Sequence, residues 1–183
     1  NNIDKSFFIF YIMGNIYRKW DFIFKNMLTH TDKDGNAKMV DISDKAITKR
    51  IAKAIGFIQM SPKTLSLLNK GGHKKGDVLT VAKIAGIQAA KQTFNLIPLC
   101  HQIELTNVDI EFHIDQKNNI VECAVKAFCM GKTGVEMEAL TATTISLLTV
   151  YDMCKAVDKE MRIFDIKLSE KHGGKSGSWV TTR

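Results

Sequence analysis

A chain of 183 residues is long enough for one domain with a substantial buried core. Hydrophobic residues at 45% and only two prolines exclude a disordered or linker-rich chain, and no apolar run reaches the length of a membrane span. The net charge of +7 fits either a scattered solubilising surface or an anionic partner, a nucleic acid or a phosphorylated small molecule.

Residues 1–26 differ in character from the rest of the chain. Phe7 to Met13 is a short aromatic-rich run before Arg18, Lys19 and Trp20. No small-residue cleavage site comes after it, and Asp4 and Asp21 suit no transit peptide. These residues are expected to form a poorly ordered N-terminal extension, with the folded domain over 27–183. Lys33-Asp34-Gly35-Asn36 has turn chemistry, because glycine supplies positive φ and aspartate can bond nearby backbone. Arg50 to Gln59 is expected as a strand, although its apolar residues fit no single period. Ser61 and Pro62 read as the N-cap and first position of a short helix that Gly71-Gly72 closes.

Asp77 to Phe94 spaces Val78, Val81, Ala82, Ala85 and Ala89 as a helix does. From Ile103 the period falls to two. Val108, Ile110, Phe112 and Ile114 alternate with polar neighbours, Gln116 to Asn119 turns the chain, and Val121, Cys123, Val125, Ala127 and Cys129 alternate again. That is a β-hairpin. Val135 to Lys159 predicts a long helix with Met137, Leu140, Leu147, Leu148, Tyr151 and Cys154 on or near its apolar face. Ile163 to Leu168 returns as a last strand, and the tail from Lys171 has the composition of a flexible basic loop. The order strand, helices, hairpin, helix, strand predicts an α+β fold, a ferredoxin-like βαββαβ sandwich with an antiparallel sheet. The four cysteines (Cys100, Cys123, Cys129, Cys154) include no C-x-x-C pair, so free and mostly buried thiols in a reducing compartment are expected.

Four segments offer chemistry. Gly71 to Asp77 sets two lysines and a histidine between glycines before a helix; it either cradles phosphate oxygens or is a solvated turn in which Asp77 caps the helix. Cys100 and His101 point to opposite sides of an extended chain, so they do not jointly ligate a metal. His101 either bonds a purine-like substrate or is structural. Glu136 and Glu138 fall in the first turn of the long helix, where the dipole favours negative charge; alternatively Glu138 accepts from the N–H groups of a guanine-type base. Asp152 and Lys155, three apart on that helix, form a surface pair or, if partly buried, a pair retuned for proton transfer.

Together these segments resemble the MoaC family of molybdenum-cofactor proteins. The stretches that carry the resemblance are KMVDIS (Lys38 to Ser43), KGD (Lys75 to Asp77), IAGIQAAK (Ile84 to Lys91) and LIPLCH (Leu96 to His101). They continue with GKTGVEMEALTA (Gly131 to Ala142), YDMCKAV (Tyr151 to Val157) and GGKSG (Gly173 to Gly177). Such a resemblance implies a phosphorus–oxygen lyase, a cyclic pyranopterin monophosphate synthase that converts cyclised dihydro-GTP to cyclic pyranopterin monophosphate and pyrophosphate. By the family pattern Asp152 would be the catalytic acid/base, assisted by Lys75 and Lys155. Leu99, Cys100, His101, Met137 and Glu138 would bind substrate, with Glu136, Arg50 and Lys171 nearby. It implies a homohexamer, a trimer of dimers with sites at the dimer interface, and no metal, organic cofactor, nucleic acid or membrane. The cytoplasm is the expected compartment, or an organelle if residues 1–26 are a targeting segment. Lys74, Gln102 and His172 depart from the residues common in the family, but none displaces a proposed catalytic group. An RNA-binding module of the same strand order would carry an aromatic-rich motif on its third strand; Ile120 to Met130 offers one phenylalanine.

Overall fold

The computed structural model describes residues 29–69 and 77–181. The chain divides after Asp41 into two units. The expected extension over 1–26, the helix stop at Gly71-Gly72 and the lysine loop that includes Lys75 lie outside the described residues.

In the first unit, residues 29–41 contain the expected turn. Gly35 takes φ +88°, and a bridge joins Thr31 to Ala37. The carboxylate that organises it is that of Asp32, whose Oδ1 accepts the N–H groups of Asp34 and Asn36 at 2.9 and 2.8 Å.

The second unit is an antiparallel sheet with two long helices on one face. In chain order the elements are β1 (Thr48–Gln59), α1 (Pro62–Asn69), α2 (Val78–Lys91), the single turn α3 (Thr93–Leu96), β2 (Leu105–Asp115) and β3 (Ile120–Gly131). They continue with α4 (Glu136–Cys154), β4 (Arg162–His172) and β5 (Trp179–Val180). The sheet order is β2-β3-β1-β4-β5. Each neighbouring pair is antiparallel, which makes β1 and β2 parallel with β3 inserted between them. This is the split βαβ arrangement of the ferredoxin-like α+β fold.

Central strand β1 explains why its sequence shows no clean period. Ala52, Ala54 and Ile58 alternate with partly covered Ile51, Ile55 and Phe57, so both faces carry apolar side chains. On the helix face, small residues let α4 come close. A Cβ added to Gly56 would stand 2.9 Å from both Leu147 and Ile166. On the opposite face Phe57 stacks on Phe164 with ring centroids 5.5 Å apart, and Lys53 pairs with Glu170 at 3.5 Å.

Helix α2 starts as its sequence predicts, with the Asp77 carboxylate accepting the N–H groups of Leu79 and Thr80. Its buried stripe is Val78, Ala82, Gly86, Ala89 and Ala90; Val81, expected inside, is exposed. At Gly86 any Cβ would collide with the Ser146 hydroxyl of α4, and that hydroxyl donates to Ala82 O at 3.1 Å. The two helices thus pack through small side chains.

The same cause corrects the expected face of α4. Its buried positions include Ala139, Ala142, Thr143, Ser146, Leu147 and Val150, while Met137 and Leu148 are exposed. Thr143 turns its hydroxyl back to Ala139 O at 2.9 Å, which satisfies it within the core. The helix also ends at Cys154, short of the expected Lys159. As expected, Ser61 caps α1, its Oγ accepting the N–H of Thr64 at 3.3 Å; beyond α4 the Asp158 carboxylate braces that cap, accepting the N–H of Ser61 at 2.7 Å and the hydroxyl of Thr64 at 3.1 Å. The tail is corrected too. Lys171 and His172 belong to β4, and after a glycine turn the chain returns as β5 along the sheet edge, with Lys171 opposite Trp179.

Among the described residues, no helix is long and apolar enough to cross a membrane. None of the four cysteines forms a disulfide among the described residues, and three of them are buried.

Candidate functional site

Strand β3 hands the chain to α4 through Gly131 to Gly134, and this corner builds one wall of a cavity of about 740 Å³. The Glu136 carboxylate folds back over Gly134, into the space a Cβ would take. Glu136 Oε1 in turn meets Lys171 Nζ of β4 at 3.3 Å, with both side chains about 30% exposed. Arg50, from β1, donates its Nε to Gly131 O at 3.2 Å and its Nη2 to Lys132 O at 3.3 Å. Lys132 then reaches Ser43 O. The opposite wall is the turn at Gly174, Lys175 and Ser176. At the cavity edge the Thr48 hydroxyl is buried with no hydrogen-bond partner among the described residues.

The cavity is predominantly cationic. Lys45, Arg50, Lys132, Lys171 and Lys175 face it, against Asp44 and Glu136. A surplus of fixed positive charge in a concave site suits a polyanion. Lys45, Lys132 and Lys175 were not singled out from the sequence, although Lys132 and Lys175 stand inside its glycine-rich motifs, GKTG and GGKSG.

Behind this wall lies a buried acid. Glu138 is 4% exposed. Burial, and then the charge of Glu136, push its carboxyl up to about 7, so at neutral pH it is partly protonated and can donate as well as accept. Burial and the Glu138 charge also raise the Cys100 thiol, and the Cys129 thiol is raised for the same two reasons. A raised thiol is a poor nucleophile, so Cys100 is suited to lining a pocket rather than to covalent catalysis. Leu99 and His101 sit beside it, each half-buried, and Met137 projects outward from the first turn of α4.

Asp152 and Lys155 occupy the far end of the same helix. Their charged atoms are 2.6 Å apart, and their side chains are 60% and 54% exposed. The partial burial that would retune such a pair is absent from the single chain. The hydrogen bond to Asp152 holds the Lys155 ammonium above its ordinary value. The pair borders a shallow cleft of about 510 Å³ with Ile145, Leu148, Thr149 and Tyr151.

One chain therefore gathers some of the expected site residues and separates others. Arg50, Glu136 and Lys171 meet at one cavity, with Glu138 and Cys100 interacting behind it. Asp152 and Lys155 do not join them. Glu138 and Asp152 stand fourteen positions apart on α4, which at about 1.5 Å per residue is about 21 Å along a rigid axis.

The family model described as the MoaC family matches residues 39–174. The match takes in β1, the glycine corner, all of α4 and the start of the Gly173-Gly174 turn. The chain belongs to the MoaC family, and its role lies in molybdenum-cofactor biosynthesis.

Proposed function

We propose that the chain is a cyclic pyranopterin monophosphate synthase, a lyase that converts cyclised dihydro-GTP to cyclic pyranopterin monophosphate and pyrophosphate. These products require a substrate hydroxyl to attack the α-phosphorus while the bond to the departing pyrophosphate breaks. A base must take the hydroxyl proton, and cations must hold the charge that gathers on the leaving group. Asp152 serves as the acid/base; Lys155 and Lys75 assist it. Glu138, with Leu99, Cys100, His101 and Met137, receives the pterin-forming end, and the cationic cavity with Lys171 and Glu136 receives the phosphates.

The family match supports the lyase reading, and the observation that supports a site shared between subunits is the distance along α4. An acid/base pair about 21 Å from the binding corner on a rigid helix can reach substrate only from a second copy of the chain. The exposure of Asp152 and Lys155 supports the same arrangement, since it leaves them available to a neighbour. Two-fold pairing would create two equivalent sites, each joining the corner of one subunit to the helix end of the other. Three such pairs make the proposed hexamer, in the cytoplasm.

The test is complementation. Purified chain should release pyrophosphate from cyclised dihydro-GTP, and Asp152→Asn or Lys171→Ala should each abolish release while leaving circular dichroism unchanged. Co-expressed in equal amounts, the two dead variants should recover about a quarter of wild-type activity, because half of the pairs are mixed and each mixed pair keeps one intact site. A co-expressed mixture that stays dead, despite mixed pairs detected by differential tags, would place the site within one subunit and overturn the shared-site reading.

A further inference from the structure

Arg50 stands between the two walls of the cationic cavity. Its guanidinium donates to two successive carbonyls of the glycine corner, Gly131 O at 3.2 Å and Lys132 O at 3.3 Å. On its other side lies backbone stripped of side chains. Gly174, at φ +75°, comes so close that an added Cβ would collide with Nη1 and stand 2.8 Å from Cζ. Gly173, at φ +100°, passes over Lys49 O and would place a Cβ 3.3 Å from the Arg50 Cδ. Gly173 is therefore required twice, by conformation and by the Lys49 carbonyl, while Gly174 is required by its conformation and leaves room for the Arg50 guanidinium. Among the described residues no carboxylate pairs with Arg50, so its rigid fork is committed to backbone rather than to a counter-ion.

We propose that Arg50 is a positioning residue: its guanidinium is the spacer that sets the separation of the corner carrying Lys132 from the turn carrying Lys175. Each wall has ties of its own, Lys132 to Ser43 O and β5 to β4, but Arg50 is the side chain that touches both, and cations that must meet a leaving phosphate lose much of their effect when displaced by about 1 Å. The proposal rests on the lyase reading for its kinetic consequences. Its structural consequence is independent of that reading.

The test uses the full chain with Arg50→Ala, Arg50→Lys, Gly174→Ala and the double variant Arg50→Lys, Gly174→Ala. Hydrogen exchange in the free protein should accelerate in both 131–134 and 173–177 in each single variant. Turnover of cyclised dihydro-GTP should fall on the order of 10- to 100-fold in kcat with KM little changed. Lysine should not rescue, since it restores charge but not the fork, and the double variant should be no worse than the worse single. Rescue by lysine with a raised KM in the alanine variant would make Arg50 a direct substrate contact and overturn the proposal. So would exchange confined to one wall, or additive losses in the double variant. If wild-type chain releases no pyrophosphate at all, the lyase reading fails while the exchange experiment still decides the role of Arg50.

Discussion

Glu138 offers the sharpest quantitative expectation. Its carboxyl, 4% exposed, is moved from 4.5 to about 7, first by burial and then by the charge of Glu136. In the unfolded chain it titrates near the lower value. Between the two the native state keeps a proton that the unfolded state has lost, so stability falls as pH rises through this window. At about 1.4 kcal/mol per pH unit the full loss lies between about 3 and 4 kcal/mol, complete by about pH 8, and most of it falls above pH 5. Glu138→Gln removes the titration and nearly preserves the shape. Whatever the buried amide costs, that cost does not depend on pH, so the slope is the readout. The variant and the wild type should be followed by urea unfolding from pH 5 to pH 8.5. Their stability difference should move in favour of glutamine by about 3 kcal/mol, or about 1.5 M in urea midpoint for a slope near 2 kcal/mol/M. Parallel pH profiles for the two proteins would refute the assignment of a buried, near-neutral acid behind the cavity.

Local geometry sets three further outcomes. Gly86→Ala gains about 1 kcal/mol of helix propensity but drives a methyl group into the Ser146 hydroxyl and to within 2.6 Å of Ile110. Overpacking of that kind costs about 1–3 kcal/mol, so the melting temperature should fall by a few degrees; a rise would mean that the helices separate easily. Asp158→Ala removes the acceptor for Ser61 and Thr64 and should cost about 1 kcal/mol in denaturant unfolding, comparable to a helix cap, with an unchanged midpoint refuting its bracing of the Ser61 cap. Cys100 should alkylate with iodoacetamide along a pH profile displaced above that of free cysteine, because burial and Glu138 both oppose its thiolate. Glu138→Gln should move that profile back toward the ordinary value, and a profile below it would show an activated thiol.

Strands β2 and β3 are legible in the sequence because one face of each is buried and the other wet, so Val121, Cys123, Val125 and Ala127 mark the core by simple alternation. Strand β1 is less legible because both of its faces are covered. The helices can be found from their spacing, and Leu140, Leu147, Tyr151 and Cys154 of α4 lie in or against the core as expected, whereas Met137 and Leu148 do not. The buried stripe also runs through Ala139, Ala142, Thr143 and Ser146, whose small or polar side chains leave only a weak hydrophobic trace. Past the end of α4, Asp158 bonds to residues more than ninety positions earlier, which no local pattern encodes. The glycine corner and the carboxylates of the first turn can be read as a candidate site from spacing alone. The distance from that corner to Asp152 can be read as well, but the cationic cavity cannot, because Arg50, Lys132, Lys171 and Lys175 are assembled from β1, the corner, β4 and the last turn only when the sheet closes.

The position of β1 has a consequence for synthesis. It is the first strand of the sheet to leave the ribosome, yet its partners are β3, beginning at Ile120, and β4, beginning at Arg162. At about 5–20 residues per second, the roughly 100 residues separating β1 from β4 take about 5–20 s to make. Throughout that interval the nascent chain holds a twelve-residue strand, apolar on both faces, with at least one edge unpaired. Such a strand is the segment most open to mispairing with another chain. Nascent chains stalled before Ile120 should therefore aggregate or recruit chaperones, and those stalled past His172 should not.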